Sequence, residues 1–453
     1  MNTIAAISTP PGTGGLAVIR ISGNEAVNIL GRIFLPASGK KVKELKSHTT
    51  VYGNIYDGEE KIDDGMATFF YSPNSYTGET IAEISCHGGS FVTKRVLSAC
   101  INAGAKPALP GEFTKRAVLN GKMTLTQAES VIYIIEAQSR QYLSYSINQR
   151  EGALYKKIMH IRKIIFDITV QIAAWIDFSE EGLDDFEITS QLGQITECGL
   201  QLKLLLESYD IGKVLRDGII TAIIGKPNVG KSTIMNLLVG NERSIVTDIA
   251  GTTRDIVEEY VNIGDVSLRL SDCAGLRDAG DEVEKIGVER MLKRLEESEL
   301  VLAVFDNSRP LEKEDYIILE KIKDKPKVCI INKIDLENQL DLTFLATKFN
   351  SVIEIEARKS DYLEHLNGAI QKVLQLSRID MSAGFIANER QRQCAIQAEK
   401  AISNAIESIR KGITLDATGV ILEEALVHLA ELSGENVSDE IIDEVFNRFC
   451  VGK

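Results

Sequence analysis

The stretch Gly225-Lys226-Pro227-Asn228-Val229-Gly230-Lys231-Ser232 constrains this chain more than any other. It fits G-x-x-x-x-G-K-[ST], follows the apolar run Ile219–Ile224 and precedes a helical run, Thr233–Leu238. The glycines let backbone N–H groups wrap phosphates, and the start of the helix adds partial positive charge. The segment around such a loop therefore has to alternate strands with helices. Lys231 is placed to bridge the β- and γ-phosphates and Ser232 to hold Mg²⁺, while Val229, Gly230 and Thr233 complete the cradle.

Three further elements stand downstream at strand ends. Asp272-Cys273-Ala274-Gly275 ends the strand Val266–Ser271; Asp272 suits the magnesium shell and the Gly275 N–H the γ-phosphate. Asn332-Lys333-Ile334-Asp335 follows the strand Val328–Ile331. A carboxylate there accepts from guanine N1–H and N2–H₂, donors that adenine lacks, so Asp335 selects GTP over ATP. Gly251-Thr252-Thr253-Arg254-Asp255 lies between, with Thr253 as a second Mg²⁺ ligand that responds to the γ-phosphate. Glu356-Ala357-Arg358 stands where a Ser-Ala-Lys-like element belongs; Ala357 offers its N–H to guanine, and Glu356 replaces the usual serine.

The water-orienting group is less direct. Leu276 occupies the place where Ras-like enzymes carry glutamine, and it cannot hydrogen-bond to water. Arg277, Asp281, Glu282 and Glu284 follow, each of which also reads as a surface charge on a switch loop. Asn228 either presents its carbonyl to a monovalent cation beside the phosphates or braces the loop.

At 453 residues the chain is long enough for about three domains. Residues 1–119 alternate short β-rich runs (Ala17–Ile21, Met66–Tyr71, Glu83–Cys86) with Gly/Pro turns and carry 12 basic and 10 acidic residues. Residues 120–213 take helical spacing through Ala128–Ser139 and Ile158–Ile176, and 381–453 through Cys394–Ile409 and Leu422–Leu432. Between them, in 214–380, apolar strands Ile219–Ile224, Val266–Leu270, Leu300–Phe305, Val328–Ile331 and Val352–Ile355 predict a parallel sheet covered on both faces. The expected fold is α/β and all-α multidomain: an N-terminal α/β domain, a helical domain made of both flanking blocks, and an inserted Ras-like P-loop domain. The acidic run Glu180–Glu187 reads as a solvated loop.

A net charge of −14 argues against a nonspecific nucleic-acid coat and leaves room for a local site. Seven cysteines without a C-x-x-C pair point to reduced thiols and no zinc site. No apolar run reaches the roughly 20 residues of a membrane helix, so no membrane partner is expected, and the cytoplasm is the expected compartment.

These motifs, together with Thr9-Pro10-Pro11-Gly12, Arg20-Ile21-Ser22-Gly23, Pro73-Asn74-Ser75-Tyr76-Thr77-Gly78-Glu79, His87-Gly88-Gly89, Pro110-Gly111-Glu112-Phe113-Thr114-Lys115-Arg116-Ala117 and Phe449-Cys450-Val451-Gly452-Lys453, closely resemble the MnmE (TrmE) family of tRNA uridine-modification GTPases. The likeness runs over the whole chain. It implies a folate-binding-like N-terminal domain that makes a homodimer and holds a 5-formyltetrahydrofolate-type cofactor. It also implies a flavin- and NADH-dependent partner, MnmG (GidA), in a heterotetramer that adds an aminomethyl-type or carboxymethylaminomethyl group to C5 of the wobble uridine of certain tRNAs.

By motif position, the resemblance gives Arg20, Glu83, Lys122 and Lys453 to the folate. Thr247, Asp248, Ile249, Ala250 and Gly251 go to the nucleotide. K⁺ is caged by Asn228, Thr247, Ile249 and Thr252 and activates hydrolysis as two GTPase domains meet. Glu284 orients the water, Arg254 belongs to the switch, and Cys273 stands where the family commonly has threonine. Cys450 is either a thiolate nucleophile or a small buried residue at a helix end. Two other readings remain open at this stage: a GTPase switch in ribosome assembly, which leaves the folate-like segment and Cys450 unexplained, and a folate-binding scaffold with a vestigial GTPase, which the intact Lys231, Ser232, Asp272 and Asp335 oppose.

Overall fold

In a computed structural model, residues 2–178, 188–241, 259–264, 266–270, 295–356, 362–374, 384–435 and 437–453 are described. The chain forms two compact units, Met1–Ile132 with Ile158–Ile188 and Ser408–Lys453, and Tyr133–Lys157 with Thr189–Glu407.

The first unit is built on β1 (Ile4–Ile7), β2 (Leu16–Ser22), β3 (Phe34–Pro36), β4 (Thr50–Asp57), β5 (Glu60–Phe70), β6 (Ile81–His87) and β7 (Lys106–Pro107). They join in the order β3-β4-β5-β6-β2-β1-β7, antiparallel except for the β1–β7 pair. Strand β2 shows why the sheet has two different faces. Ala17, Ile19 and Ile21 are buried in a core with Ile29, Leu30, Ile84 and Val96, whereas Leu16, Val18 and Arg20 point the other way. That core lies beneath the helices Ala26–Ile33 and Ser90–Asn102. On the opposite face Ile4, Ala6, Ala108 and Phe113 form a small cluster with Tyr76 against it.

Segment 449–453 belongs to this unit. Gly111 N–H donates to the Cys450 carbonyl (3.4 Å), Phe113 N–H to Lys453 O (3.2 Å) and Ser8 Oγ to Gly452 O (3.2 Å). Gly452 has φ +100°, and a Cβ there would collide with the Ile7 carbonyl. Only glycine fits both the backbone conformation and the approach.

The second unit contains β8 (Ile219–Ile224), β9 (Glu259–Ile263), β10 (Val266–Leu270), β11 (Leu300–Asp306), β12 (Lys327–Asn332) and β13 (Val352–Glu354), in the order β13-β12-β11-β8-β10-β9. The five strands expected from the apolar runs are present and mutually parallel. Every residue of β11 is buried, as a strand covered on both faces requires. The sheet is not wholly parallel, however. Strand β9 pairs antiparallel with β10 at the edge, with Gly264 at φ +59° between them. Polar residues interrupt the apolar pattern of β9, which hides it from a search for apolar runs.

Helices of the second unit pack across a long sequence gap. In Ile188–Asp217 and Glu389–Arg410, Gly199 lies against Ile402, and Lys203 pairs with Glu399 at 3.4 Å. The periodicity through Ala128–Ser139 conceals a break. One helix ends at Glu136, and Ser139 caps the next, accepting from Tyr142 N–H.

Candidate functional site

Parallel strands aim all their C-terminal ends the same way, and the loops leaving β8, β11 and β12 meet there. The loop after β8 is held open by two close approaches. A Cβ at Gly225 would meet the Val304 carbonyl, and one at Gly230 would meet the Asn332 amide nitrogen. Asn228 is exposed at φ +63° in this loop, and Val229 beside it is buried. The helix Lys231–Asn241 starts at the loop's end, with Ser232 and Thr233 exposed on its first turn.

Lys231 Nζ donates to the carbonyls of Gly225 (2.8 Å) and Lys226 (2.6 Å). Burial, with Arg309 nearby, holds its pKa below the usual lysine value. An incoming phosphate would answer that deficit of negative charge. Lys226 points away from the loop. It is gripped by Glu312, by Glu314 at 3.2 Å and by Asp315 at 3.9 Å, so it anchors the loop to the helix Lys313–Lys321.

The loop after β12 is bolted to the first. Asn332 Nδ2 donates to Val229 O at 2.9 Å with both groups buried. Lys333 adopts φ +61° and its Nζ reaches Asp306 Oδ2 at 2.6 Å. Ile334 and Asp335 are exposed on the following turn, which Leu336 N–H closes onto Lys333 O. Glu356 stands just past β13, partly buried. The structure therefore brings Asn228, Val229, Gly230, Lys231, Ser232 and Thr233 together with Asn332, Lys333, Ile334 and Asp335. Thr247, Asp248, Ile249, Ala250, Gly251, Thr252, Thr253, Asp272, Cys273, Ala274, Gly275, Glu284, Ala357 and Arg358 lie outside the described residues, as does the acidic run 180–187.

Reading motifs missed Asp306 and Asn307. Asp306 ends β11, which lies between β8 and β12, and Asn307 follows it; the available signal was that strand end itself, because open α/β sheets place ligands outside the carboxyl ends of their strands.

On the seven-stranded sheet, Arg20 and Glu83 are directly opposite each other across β2 and β6 and pair at 2.8 Å. The Arg20 guanidinium lies 5.5 Å from the Tyr76 ring centre and 5.7 Å from that of Phe113. Phe113 is the residue whose N–H binds Lys453 O. Lys122 Nζ donates to Pro73 O at 3.1 Å, and its stem lies against Gly78, in the loop that carries Tyr76. Arg20 with Glu83, Lys122 and the Lys453 carbonyl are thus each tied to Phe113 or to the loop that carries Tyr76. A folate's glutamate tail is anionic, and Arg20 and Lys122 are cations of the kind that could pair with it. Cys450 is exposed, following the helix Asp439–Asn447, so its thiol is not a packing residue at a helix end.

The same unit holds a buried polar network around Arg116. Arg116, 4% exposed, donates to Glu79 (2.9 Å) and to Glu112 (2.8 Å). Glu79 also accepts from Ser22 Oγ at 2.8 Å, and Ser22 meets Thr77. Among the described residues no three His, Cys, Asp or Glu side chains cluster as a metal site, and no helix is long and apolar enough to cross a membrane.

Comparison with known proteins covers both units. The family model described as GTP-binding protein TrmE N-terminus matches residues 3–122, and that described as MnmE helical domain matches 125–450. A tRNA modification GTPase MnmE of Thermoanaerobacter sp. (strain X514) is 41% identical over 100% of this chain and 99% of its own length. One of Clostridioides difficile (strain 630) is 38% identical over the same shares. Among solved structures, the G domain of the T. maritima FeoB iron transporter is 25% identical, covering 34% of this chain and 98% of that one, with a TM-score of 0.26. With both family models matched from residue 3 to residue 450 and relatives aligned end to end, the chain belongs to the MnmE (TrmE) family.

Proposed function

We propose that this chain binds and hydrolyses GTP and, with the flavin-dependent MnmG partner, adds a carboxymethylaminomethyl or aminomethyl group to C5 of the wobble uridine of certain tRNAs. The observation that carries the reading is the phosphate loop joined to the Asn332–Asp335 turn by the Asn332–Val229 hydrogen bond, in a chain whose full-length relatives are named tRNA modification GTPases. In this reading, residues 1–119 form the folate and dimerisation domain, 214–380 the GTPase domain, and 120–213 with 381–453 the helical domain.

Ser232 and Thr253 would hold Mg²⁺, and the exposed Ser232 hydroxyl at the first turn of its helix suits that role. Asn228 with Thr247, Ile249 and Thr252 would hold K⁺, whose charge stands in for an arginine finger. Asn228 is exposed at positive φ on the phosphate loop, where a side-chain carbonyl can face a cation. Glu284 would orient the attacking water, because Leu276 cannot. Lys231 balances the charge that builds on the phosphates, and Asp335 accepts from the guanine edge. Arg20, Glu83, Lys122 and Lys453 would hold a 5-formyltetrahydrofolate-type cofactor, which supplies a one-carbon unit when bound; Cys450 is the nearby nucleophile candidate. The protein works as a homodimer in the cytoplasm.

The test is GTP turnover in KCl against NaCl at equal ionic strength, repeated with Asn228→Ala, followed by analysis of tRNA wobble nucleosides in the presence of MnmG. Turnover is expected to need both K⁺ and Asn228. Equal rates in the two salts would remove K⁺ from the mechanism, and wobble uridines left unmodified would remove the tRNA reaction.

A further inference from the structure

Asp306, the last residue of β11, is 6% exposed. A carboxylate this well covered is costly to keep charged unless cations and donors surround it. Four groups do so. Lys333 Nζ lies at 2.6 Å, the Ser308 amide at 3.0 Å, the Ser308 hydroxyl at 2.7 Å and Arg309 Nε at 3.9 Å. Burial alone would raise its pKa, but the bonds from Lys333 and Ser308 and the Lys333 charge overcome this and hold it below the ordinary aspartate value. The group is an anion at neutral pH.

Its two cationic partners belong to different loops. Lys333 sits in the turn that carries Asp335, at a φ of +61° that a side chain adopts only when its surroundings impose it. Arg309 reaches the Pro227 carbonyl of the phosphate loop at 3.5 Å. Asn307 adds a second set of ties. Its N–H donates to Asn332 O at 2.9 Å, its side-chain amide to Leu336 O at 3.2 Å, and its carbonyl accepts from Gln339 N–H at 2.9 Å. The strand end therefore grips the Asn332–Leu336 turn on both sides of Asp335.

We propose that Asp306 is a positioning residue for guanine-nucleotide binding: through Lys333 it fixes the turn that presents Asp335 to the base. This rests on the GTP reading of the same site. It predicts that Asp306 sets nucleotide affinity through Lys333, with no independent contribution of similar size.

A double-mutant cycle on the full chain tests it, with displacement of a fluorescent GDP analogue as the readout. Asp306→Asn and Lys333→Met should each weaken GDP binding by roughly tenfold or more, and the double variant should bind within about twofold of Lys333→Met alone. In steady-state GTP turnover the Asp306→Asn loss should fall on KM and not on kcat. Losses that multiply in the double variant, or Asp306→Asn binding GDP like the wild type, would overturn the proposal. Should Asp306→Asn fail to fold, as judged by its melting curve, Asp306→Ser completes the same cycle with the same deciding outcomes. A wild-type chain that binds no guanine nucleotide would instead overturn the GTP reading, and the proposal with it.

Discussion

In the six-stranded sheet the motif residues sit in loops leaving the C-terminal ends of β8 and β12; in the seven-stranded sheet Arg20 and Glu83 sit in the interior of neighbouring strands. The difference follows from strand direction. Parallel strands bring like ends to one edge, so loops converge and backbone N–H groups become available there. Antiparallel strands alternate their ends, so a site is assembled from side chains on one face, two residues apart along each strand. The first site can be recognised from short contiguous motifs. The second depends on which residues stand opposite each other.

If the two sites are as separate as this contrast implies, a substitution in one should leave the other working. The largest effect is expected from Lys231→Ala, which should cut GTP turnover on the order of 100-fold or more, while binding of 5-formyltetrahydrofolate, followed by calorimetric titration, is retained. Loss of both activities would dissolve the contrast. Arg20→Ala removes a charged hydrogen bond to Glu83 and the cation above Tyr76 and Phe113. It should weaken the folate by roughly 10-fold or more with GTP turnover preserved; undiminished folate binding would move that cofactor elsewhere.

Gly452→Ala sharpens the comparison on the stability side. The added Cβ faces the Ile7 carbonyl at a backbone conformation that disfavours side chains, and should cost about 1–3 kcal/mol. A urea melt resolving two transitions should show the loss in one transition only; an unchanged curve would mean that the segment is not seated on β1.

The smallest effect concerns His87. Its ring lies 2.8 Å from Asp63, whose hydrogen bond and charge raise the imidazole pKa above the ordinary 6.5. Burial pushes Asp63 upward, but bonds from the His87 amide and ring and from the Asp64 amide win and hold it below 3.8. The histidine's contribution is complete below its unfolded pKa and is lost as pH rises through the raised folded value. The aspartate's contribution is present above 3.8 and is lost as pH falls through the depressed one. An NMR titration should place the His87 midpoint above 6.5 and return it toward that value in Asp63→Asn. A midpoint that does not move would exclude the pair in solution.

The phosphate loop and the Asn332–Asp335 turn were legible because their chemistry demands particular residues at fixed spacing. Asp306 was not, because one acid after an apolar strand reads as an ordinary turn residue, and its significance lies in Lys333 arriving from 27 positions away. Arg20 and Glu83 became meaningful only through family resemblance, since nothing in either strand announces its register with the other. The Arg116 network was not legible because Glu79 and Glu112 come together around it only once the loop and helix are folded. The antiparallel β9 escaped because its polar residues break the apolar run.

The seating of residues 450–453 against Ile7 and Ser8 has a consequence for biosynthesis. The first strand leaves the ribosome more than 400 residues ahead of the segment that completes its surroundings. At roughly 5–20 residues per second, that is an interval on the order of tens of seconds. Throughout it Ser8, Gly111 and Phe113 lack the carbonyl partners that Gly452, Cys450 and Lys453 supply, and this face stays incomplete until translation delivers its closing segment.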